Sequence, residues 1–404
     1  MDRSRFPQGR SLRGLTLAAS TWLAAASSSD AFGRLHGDDQ VASATAASAT
    51  VDLPASLVDG RFLLQAWNGT NGPLRLLLDT GANRTILDSR AVARMSAAGM
   101  AQPKPGAPIP VAFLGRTVPR RMFRLDSLRV GARFLEAPEV VESDLRALSR
   151  TGLPELDGIA GMDLFDDVRL VLDFRAGRVS MEPAGSPLPE EGSRLALEGA
   201  PRRPSVRIQV AGRPVALLLD TGYTGTIAVP PSSVPFSGPL ARVNVSAAAD
   251  RLVENLAGRV DGDFTLHQLT FQRPIADLHP NGEGMLGLDA LRRFVVRIDP
   301  VARNAHFIAR ESGPVTTSGI RSLGFAFSAV KEGLRVESVL GRDPGESPLR
   351  RGDVIVSLAG QPAVTNGTAR VAEVLGTAVD SVDVVLLRGR ATRTERLRIQ
   401  TLLE

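Results

Sequence analysis

Short apolar runs separated by turn residues recur along the whole chain, and this pattern predicts a mainly β protein. Two runs are identical: Leu76-Leu77-Leu78 leads into Asp79-Thr80-Gly81, and Leu217-Leu218-Leu219 leads into Asp220-Thr221-Gly222. A continuous apolar run of this length indicates a buried strand, and the glycine that follows indicates a tight turn. Each predicted strand therefore delivers one carboxylate, Asp79 or Asp220, to a turn.

A second pair of segments repeats downstream of these turns. Ile159-Ala160-Gly161 in the first half corresponds to Met285-Leu286-Gly287 in the second, and in both halves an aspartate follows the glycine by twelve positions. The interval from Asp79 to Gly161 is 82 positions, and that from Asp220 to Gly287 is 67. Because loops vary in length more than the elements that they join, we interpret the halves as two copies of one β lobe with different loops.

The pattern divides the chain into seven segments. These are a signal peptide over 1–30, a linker over 31–52, a first lobe over 53–185, an interlobe linker over 186–200, a second lobe over 201–309, a linker over 310–319 and a small β-rich domain over 320–404. The linkers are assigned from their Pro, Gly, Ser and Ala content. The predicted fold class is mainly β, with two pseudo-symmetric lobes and a small C-terminal domain.

The N-terminus has the order of a secretory signal. Four arginines up to Arg13 precede an apolar stretch over Leu15–Ala26, and small residues follow it. The alternative is an uncleaved N-terminal anchor. Either interpretation predicts an exported protein, periplasmic or secreted. No later segment approaches eighteen apolar residues, so no other membrane insertion is expected.

Composition and charge exclude several classes of partner and catalytic site. The net charge is +5, and no basic run is interleaved with aromatic residues, so no nucleic-acid partner is expected. Cysteine is absent, and the four histidines form no zinc-binding motif; no P-loop and no serine elbow occur. We therefore expect neither a metal nor a cofactor.

The paired carboxylates are the remaining candidate chemistry. Two carboxylates held close together share a proton, so that one serves as an acid and the other as a base. Gly81 and Gly222 would let backbone N–H groups approach the carboxylates, and Thr80 and Thr221 would cross-brace the two turns. Three alternatives remain: both motifs are strand-ending turns, the pair only binds peptide, or it is a glycosidase pair. Identical turns related by pseudo-symmetry favour the shared-proton pair over the last of these.

From Leu53 to Ala309 the chain resembles the retropepsin and pepsin-type aspartic peptidases, because both halves contain the Asp-Thr-Gly turn and the later apolar-Gly segment. The resemblance implies that Asp79 and Asp220 form the catalytic dyad, supported by Thr80, Gly81, Thr221 and Gly222. It also implies a structural role for Asp163 and Asp289. Because one chain supplies both acids, an active monomer is possible, and the expected partners are protein or peptide substrates.

The sequence departs from the family pattern after the second turn. Ala82 follows Gly81 as in retroviral-type members, but Tyr223 follows Gly222, where a small or hydroxyl residue is commoner. Tyr223 is also the only tyrosine, so the flap tyrosine of pepsins has no counterpart. The resemblance implies a flap over the cleft, which we expect between Pro105 and Arg124, with Phe113, Leu114 and Gly115 as its candidate residues. In the second copy we expect a reduced flap or none.

The C-terminal domain resembles PDZ modules. Leu323-Gly324-Phe325 matches their carboxylate-binding loop, and residues 349–355 match their turn-strand signature. Such a loop and a neighbouring strand edge capture peptides. This predicts an exported aspartic endopeptidase whose PDZ domain recruits protein substrate, although the domain could instead pack against the lobes and bind nothing. The rival function is a non-catalytic periplasmic peptide-binding or scaffolding protein.

Overall fold

The structure is a computed structural model that describes residues 23–24, 50–113, 116–149, 153–248, 251–279, 282–340, 347–363, 367–377 and 380–404. The predicted signal peptide, apart from Leu23–Ala24, lies outside the described residues, as do Leu114 and Gly115 of the predicted flap. Within the described ranges, no helix combines the length and apolar character needed to span a bilayer.

The first lobe is built mostly from short strands. Its elements, preceded by β1 (Leu23–Ala24), are β2 (Val51–Asp52), β3 (Ala55–Val58), β4 (Arg61–Asn68), β5 (Asn71–Leu78), β6 (Ile86–Asp88), α1 (Ser89–Ala97), β7 (Ala101–Pro103), β8 (Ile109–Phe113), β9 (Arg116–Arg120), β10 (Met122–Leu125), β11 (Ser127–Val130), β12 (Arg133–Glu136), β13 (Glu139–Ser143), α2 (Arg146–Ser149), β14 (Gly158–Ala160), a 3₁₀ turn (Met162–Phe165), β15 (Val168–Asp173) and β16 (Arg178–Pro183). Helix α1 begins at a true N-cap, because the Asp88 carboxylate accepts the Arg90 N–H.

The second lobe repeats this order. Its elements are β17 (Ser193–Ala196), β18 (Ser205–Val210), β19 (Arg213–Asp220), β20 (Ile227–Val229), β21 (Ala241–Ala248), β22 (Arg251–Arg259), β23 (Phe264–Leu266), β24 (Leu269–Gln272), β25 (Ile275–Leu278), β26 (Gly284–Gly287), α3 (Leu288–Leu291), β27 (Phe294–Asp299), β28 (Asn304–Ala309) and β29 (Gly313–Thr316).

The tail domain, residues 320–404, is also mainly β. It contains β30 (Ile320–Ser322), β31 (Phe325–Val330), β32 (Gly333–Val339), β33 (Val354–Leu358), β34 (Gln361–Pro362), α4 (Gly367–Thr377), β35 (Ser381–Arg388), β36 (Ala391–Arg398) and β37 (Gln400–Leu403). Strands β31, β32, β33, β35 and β36 form its main sheet in that order, and β30 pairs with β37.

The two lobes have the same strand order. The first-lobe sheet runs β12-β11-β4-β5-β14-β6-β13-β10-β7, and the second-lobe sheet runs β24-β23-β18-β19-β26-β20-β25-β22-β21. Each position in one list has its counterpart at the same position in the other. The curled sheets give an acid-protease-type β fold, as the sequence predicts.

One further sheet joins the lobes, in the order β17-β28-β27-β15-β16-β2. Its central strands are antiparallel, with Val171 opposite Arg297. These residues are equivalent under the 126-position offset that relates Gly161 to Gly287. The pseudo-twofold axis therefore passes through this pair, which lies ten positions after Gly161 in one half and ten after Gly287 in the other.

Three segments predicted as linkers contain strands. Val51–Asp52 pairs with β16, Ser193–Ala196 pairs with β28, and Gly313–Thr316 pairs with β24. Each segment is at the edge of a sheet, where pairing satisfies backbone N–H and C=O groups whatever the side chains are. The linker prediction is therefore wrong at these three places.

The tail domain packs on the second lobe. Apolar residues of the β21–β22 hairpin and of β25, namely Ala241, Val243, Val245, Ala257 and Ile275, belong to one buried cluster with the tail domain's own core. The Ser338 hydroxyl donates to Glu254 at 2.5 Å, and Arg259 Nη2 donates to the Thr317 carbonyl at 3.2 Å. The tail domain and the β21–β22 hairpin thus share a core.

Candidate active site

The two Asp-Thr-Gly turns meet at the interface of the lobes. Asp79 Oδ1 accepts the N–H groups of Gly81 at 2.9 Å and of Ala82 at 3.2 Å. Asp220 Oδ1 accepts those of Gly222 at 2.8 Å and of Tyr223 at 2.9 Å. Two backbone donors thus fix one oxygen of each carboxyl and leave the other oxygen for chemistry.

The threonines cross-brace the turns in a symmetric pattern. Thr80 Oγ1 donates to the Leu219 carbonyl at 2.6 Å, and Thr221 Oγ1 donates to the Leu78 carbonyl at 2.8 Å. Each hydroxyl also accepts the opposite threonine's backbone N–H at 3.1 Å. Four buried hydrogen bonds therefore connect the lobes directly beneath the two carboxyls.

The glycines allow the opposite carboxyl to approach closely. A Cβ atom on Gly81 would lie 2.5 Å from Asp220 Cγ, and one on Gly222 would lie 2.6 Å from Asp79 Oδ2. Both distances are too short for any side chain. The sequence-predicted residues Asp79, Thr80, Gly81, Asp220, Thr221 and Gly222 are therefore brought together in one place.

We expect Gly222→Ala to lower kcat/KM by about 10²-fold, because the new methyl group displaces Asp79 from its hydrogen bonds and a shift of this size has that effect on reactions that depend on orientation. The matched control is Gly238→Ala, since a Cβ there meets nothing within 4 Å. Steady-state assays with a fluorogenic peptide measure both variants. Equal activity of the two would contradict the close approach at Gly222.

The carboxyls are buried, with Asp79 0% and Asp220 2% exposed. Burial and the neighbouring Asp220 charge raise the pKa of Asp79 well above its usual range. Burial raises the pKa of Asp220 to about 6, although the Tyr223 and Gly222 N–H groups and the charge of Arg203 oppose the rise. Asp79 Oδ2 receives no N–H or O–H donor from the described residues. A proton retained on Asp79 would be available for a hydrogen bond to Asp220, an arrangement in which one carboxyl can serve as an acid and the other as a base.

The pair predicts a bell-shaped pH profile of kcat/KM. Activity should rise with increasing pH through about 6, where Asp220 ionises, and fall at higher pH, where Asp79 loses its proton. A peptide without ionisable side chains, assayed from about pH 4 to about pH 9, ensures that both limbs report on the enzyme. A profile that stays flat across this range would contradict a shared-proton pair.

Asp163 and Asp289 each accept a hydrogen bond from a threonine that follows an Asp-Thr-Gly turn. Asp163 accepts the Thr85 hydroxyl at 2.7 Å, and Asp289 accepts the Thr226 hydroxyl at 2.8 Å. Both acids thus hold the apolar-Gly segment against the Asp-Thr-Gly turn, in keeping with the structural role that the resemblance implies.

Tyr223 fills the space behind the second turn. Its side chain is fully buried, its hydroxyl donates to Asp277 at 2.7 Å, and its backbone N–H reaches Asp220. The Leu288 N–H donates to the Tyr223 carbonyl at 2.7 Å. In the first lobe Ala82 makes the same backbone bonds, to Asp79 and to Met162. The tyrosine is therefore accommodated without a change in the turn, and Asp277 is the partner that sequence alone did not reveal.

Two hairpins and α2 contribute to an apolar cluster around the turns. The cluster includes Val111 of β8, Leu145 and Leu148 near α2, and both Ala82 and Tyr223, with Val253 of β22 packed against it. The β8–β9 hairpin lies inside the segment predicted as the flap, while the side chain of Phe113 is outside the described residues. The second lobe has its own hairpin, β21–β22. The expectation of a reduced or absent flap there is therefore wrong, because the strands equivalent to β7 and β10 are themselves lengthened.

Arg203 is a residue of the site that sequence reasoning missed. Its Nη1 donates to the Gly81 carbonyl at 3.3 Å, and its guanidinium pairs with Glu283. The signal was present in the sequence, because an arginine precedes each aspartate at nearly the same distance: Arg61 by 18 positions and Arg203 by 17.

The predicted carboxylate loop of the tail domain is buried. Leu323 and Phe325 are 4% and 5% exposed, and the Gly324 N–H donates to the Ser322 hydroxyl at 3.0 Å. The turn before β33 is held by Asp353, which accepts the Arg350 N–H and a two-pronged bond from Arg388. The strand β31 ends its sheet, so one edge has no strand partner among the described residues.

Comparison with known protein families adds a finding on the first lobe. The sequence model of the aspartyl protease family matches residues 65–164, which include the first Asp-Thr-Gly turn and the first apolar-Gly segment. The match supports an aspartic peptidase family. The match likewise supports a hydrolase that acts on peptide bonds. No curated protein matches the chain.

Proposed function

We propose that the protein is an aspartic endopeptidase that hydrolyses peptide bonds through a water activated by Asp79 and Asp220. The observation that carries this proposal is the symmetric brace of Thr80 and Thr221, because it holds the two buried carboxyls against each other across the lobe interface. The family match over residues 65–164 supports the same chemistry.

The pKa order of the pair assigns the roles. Ionised Asp220 takes a proton from the water, whose oxygen attacks the carbonyl carbon of the peptide bond, while Asp79 gives its proton to the carbonyl oxygen. When the tetrahedral intermediate collapses, the C–N bond breaks, the nitrogen receives the proton from Asp220, and Asp79 recovers its proton from the hydroxyl group. Each cycle therefore restores the starting protonation state.

A cleavage assay tests this function. The chain from residue 31 onward should cleave an unfolded protein and a peptide library, a statine-type transition-state mimic should block it, and a serine-hydrolase inhibitor or a metal chelator should not. Absence of cleavage by the folded protein over a wide pH range would favour the non-catalytic peptide-binding or scaffolding function.

Export and substrate recruitment belong to the same proposal. The N-terminal signal pattern supports export to the periplasm or the medium, and the presence of both acids in one chain supports an active monomer. The edge of β31, which has no strand partner among the described residues and begins in the Leu323-Gly324-Phe325 loop, supports recruitment of protein substrates by strand addition.

Recruitment predicts an effect that depends on substrate size. Gly324 has φ +81°, a conformation that a β-branched residue does not adopt readily, so Gly324→Val should distort the loop. We expect KM to rise for a protein substrate and to stay unchanged for a short peptide with the same cleavage sequence. Equal effects on the two substrates would instead favour a tail domain that only packs against the second lobe.

A further inference from the structure

We propose that Arg61 forms a binding site for a carboxylate of the bound peptide, on the first-lobe side of the dyad. This inference rests on the proposed function. Arg61 is 2% exposed, and among the described arginines only Arg169 is more deeply buried. The Nε and Nη1 of Arg61 have no hydrogen-bond partner among the described residues. Its Nη2 lies 3.8 Å from Asp59, whose side chain is 57% exposed. A buried guanidinium with one distant, solvated partner lacks most of the compensation that its charge requires.

Strand register places Arg61 at the dyad. Leu63 pairs with Leu77 in the first lobe, so Arg61 lies at the level of Asp79. Ser205 pairs with Leu218 in the second lobe, so Arg203 lies at the level of Asp220. The two arginines are therefore pseudo-symmetric counterparts, one beside each acid.

Alternation along β4 gives the direction of the side chain. Leu63 belongs to the apolar cluster that surrounds Ala82 and Tyr223, whereas Phe62 and Leu64 belong to the core on the other face. Arg61 is two residues from Leu63 and so shares its face. A Cβ on neighbouring Gly60 would lie 3.8 Å from Leu288 Cδ2 of the opposite lobe. Arg61 thus lies at the lobe interface, next to the catalytic turns.

The two arginines differ in their partners. Arg203 pairs with Glu283, which directly precedes Gly284 of β26. The equivalent acid of the first lobe is Asp157, directly before Gly158, but it accepts the Arg75 N–H at 3.0 Å and Arg94 Nη2 at 2.6 Å. The acid that symmetry would assign to Arg61 is therefore engaged elsewhere, and among the described residues the one ion-pair partner of Arg61 is the exposed Asp59 at 3.8 Å.

The free donors define the ligand class. A guanidinium binds a carboxylate through two N–H groups in one plane, with the charges compensating each other. A neutral backbone carbonyl would occupy one donor and leave the buried charge uncompensated. The anion that enters this cleft with a peptide is a side-chain carboxylate of Asp or Glu, or the carboxylate of a chain end.

A glutamate scan tests the site. Acetylated and amidated peptides that carry glutamate at each position flanking the scissile bond are compared with glutamine analogues near pH 6, where the glutamate is ionised. We expect one position at which glutamate raises kcat/KM about tenfold or more over glutamine. Arg61→Met should reduce this ratio to about one, and Arg61→Lys should restore part of it. Arg129→Met, which removes an exposed arginine stacked 4.7 Å from Trp67, is the matched control and should retain the full ratio.

Further experiments distinguish a side-chain carboxylate from a chain-end carboxylate. They also distinguish failure of the Arg61 site from failure of the endopeptidase proposal. Peptides with a free C-terminus are compared with their amides in wild type and Arg61→Met, and only an Arg61-dependent difference points to a chain end. Cleavage with no acid preference at any position, or a preference that survives Arg61→Met, would overturn the inference and leave the endopeptidase intact. If no peptide is cleaved, the endopeptidase proposal fails, and the Arg61 site is then tested by binding alone. Fluorescence anisotropy measures the affinities of labelled glutamate and glutamine peptides for the protein. Equal affinities of the two peptides would overturn the inference.

Discussion

Replacing either acid of the pair, as Asp79→Asn or as Asp220→Asn, is expected to lower kcat/KM by at least about 10³-fold, because neither amide can exchange the proton that each step of the reaction requires. Asparagine preserves the shape of the side chain, and its oxygen can still accept the two backbone N–H groups that hold each Oδ1. The loss therefore reports on proton transfer. Steady-state assays with a fluorogenic peptide measure it.

The same variants should remain folded, and the sign of the pKa shifts gives the reason. Burial raises the pKa values of both carboxyls above the ordinary range of an aspartate. Stability from the protonated pair is complete below the unfolded pKa and is lost as the pH rises through the folded value, about 6 for Asp220. At neutral pH the ionised carboxylate therefore destabilises the fold, and an uncharged asparagine should give an equal or higher melting temperature.

A matched variant distinguishes activity lost with an active-site carboxyl from activity lost through any change of aspartate to asparagine. Asp261 is an exposed aspartate of the second lobe, and Asp261→Asn should keep both the activity and the melting temperature of the wild type. Cleavage that persists unchanged in both dyad variants would exclude the proposed mechanism. An activity that survives in only one of them would show that the two carboxyls do not act as a pair.

The fold could be predicted from sequence where local pattern determines structure. The two Leu-Leu-Leu-Asp-Thr-Gly segments and the twelve-residue spacing predicted two pseudo-symmetric β lobes, and the structure contains two sheets in which nine strands follow the same order. The side chains themselves carry that information, because apolar runs and turn residues define buried strands and their ends. The same information brought the six predicted residues of the dyad and its brace to one place.

Other features depend on pairing between distant segments, which no local pattern encodes. The strand at Ser193–Ala196 reads as a polar linker, and only its partner β28 makes it a strand. Arg61 and Arg203 look alike in sequence, but the difference between them depends on which acid each one meets after folding. The burial of Tyr223 likewise depends on a distant partner, because its hydroxyl donates to Asp277, which lies 54 positions along the chain.

The joint between the lobes depends on another long-range pair. Arg169 of β15 is 1% exposed and Asp299 of β27 is fully buried; Arg169 Nε donates to Asp299 Oδ2 at 3.2 Å and Nη1 donates to Glu182 at 3.1 Å. The Gly185 N–H also donates to Asp299 at 2.8 Å. Because β15 and β27 pair across the pseudo-twofold axis, this ion pair connects the two halves of the molecule, at positions far along the chain from the Asp-Thr-Gly turns.

Removing the cation alone should therefore destabilise the protein strongly. We expect Arg169→Met to lower the free energy of unfolding by about 3–5 kcal/mol, because a buried carboxylate then loses its counter-charge. Adding Asp299→Asn to that variant should recover part of the loss, since the unpaired charge disappears.

Arg178→Met is the control on the neighbouring strand β16, where an exposed arginine 3.9 Å from Asp52 should contribute about 1 kcal/mol or less. In the chain that starts at residue 31, Trp67 is the only tryptophan, so its fluorescence in a urea titration reports on the first lobe. A change within about 1 kcal/mol for Arg169→Met would show that the joint depends on the apolar packing of the central strands and not on the ion pair.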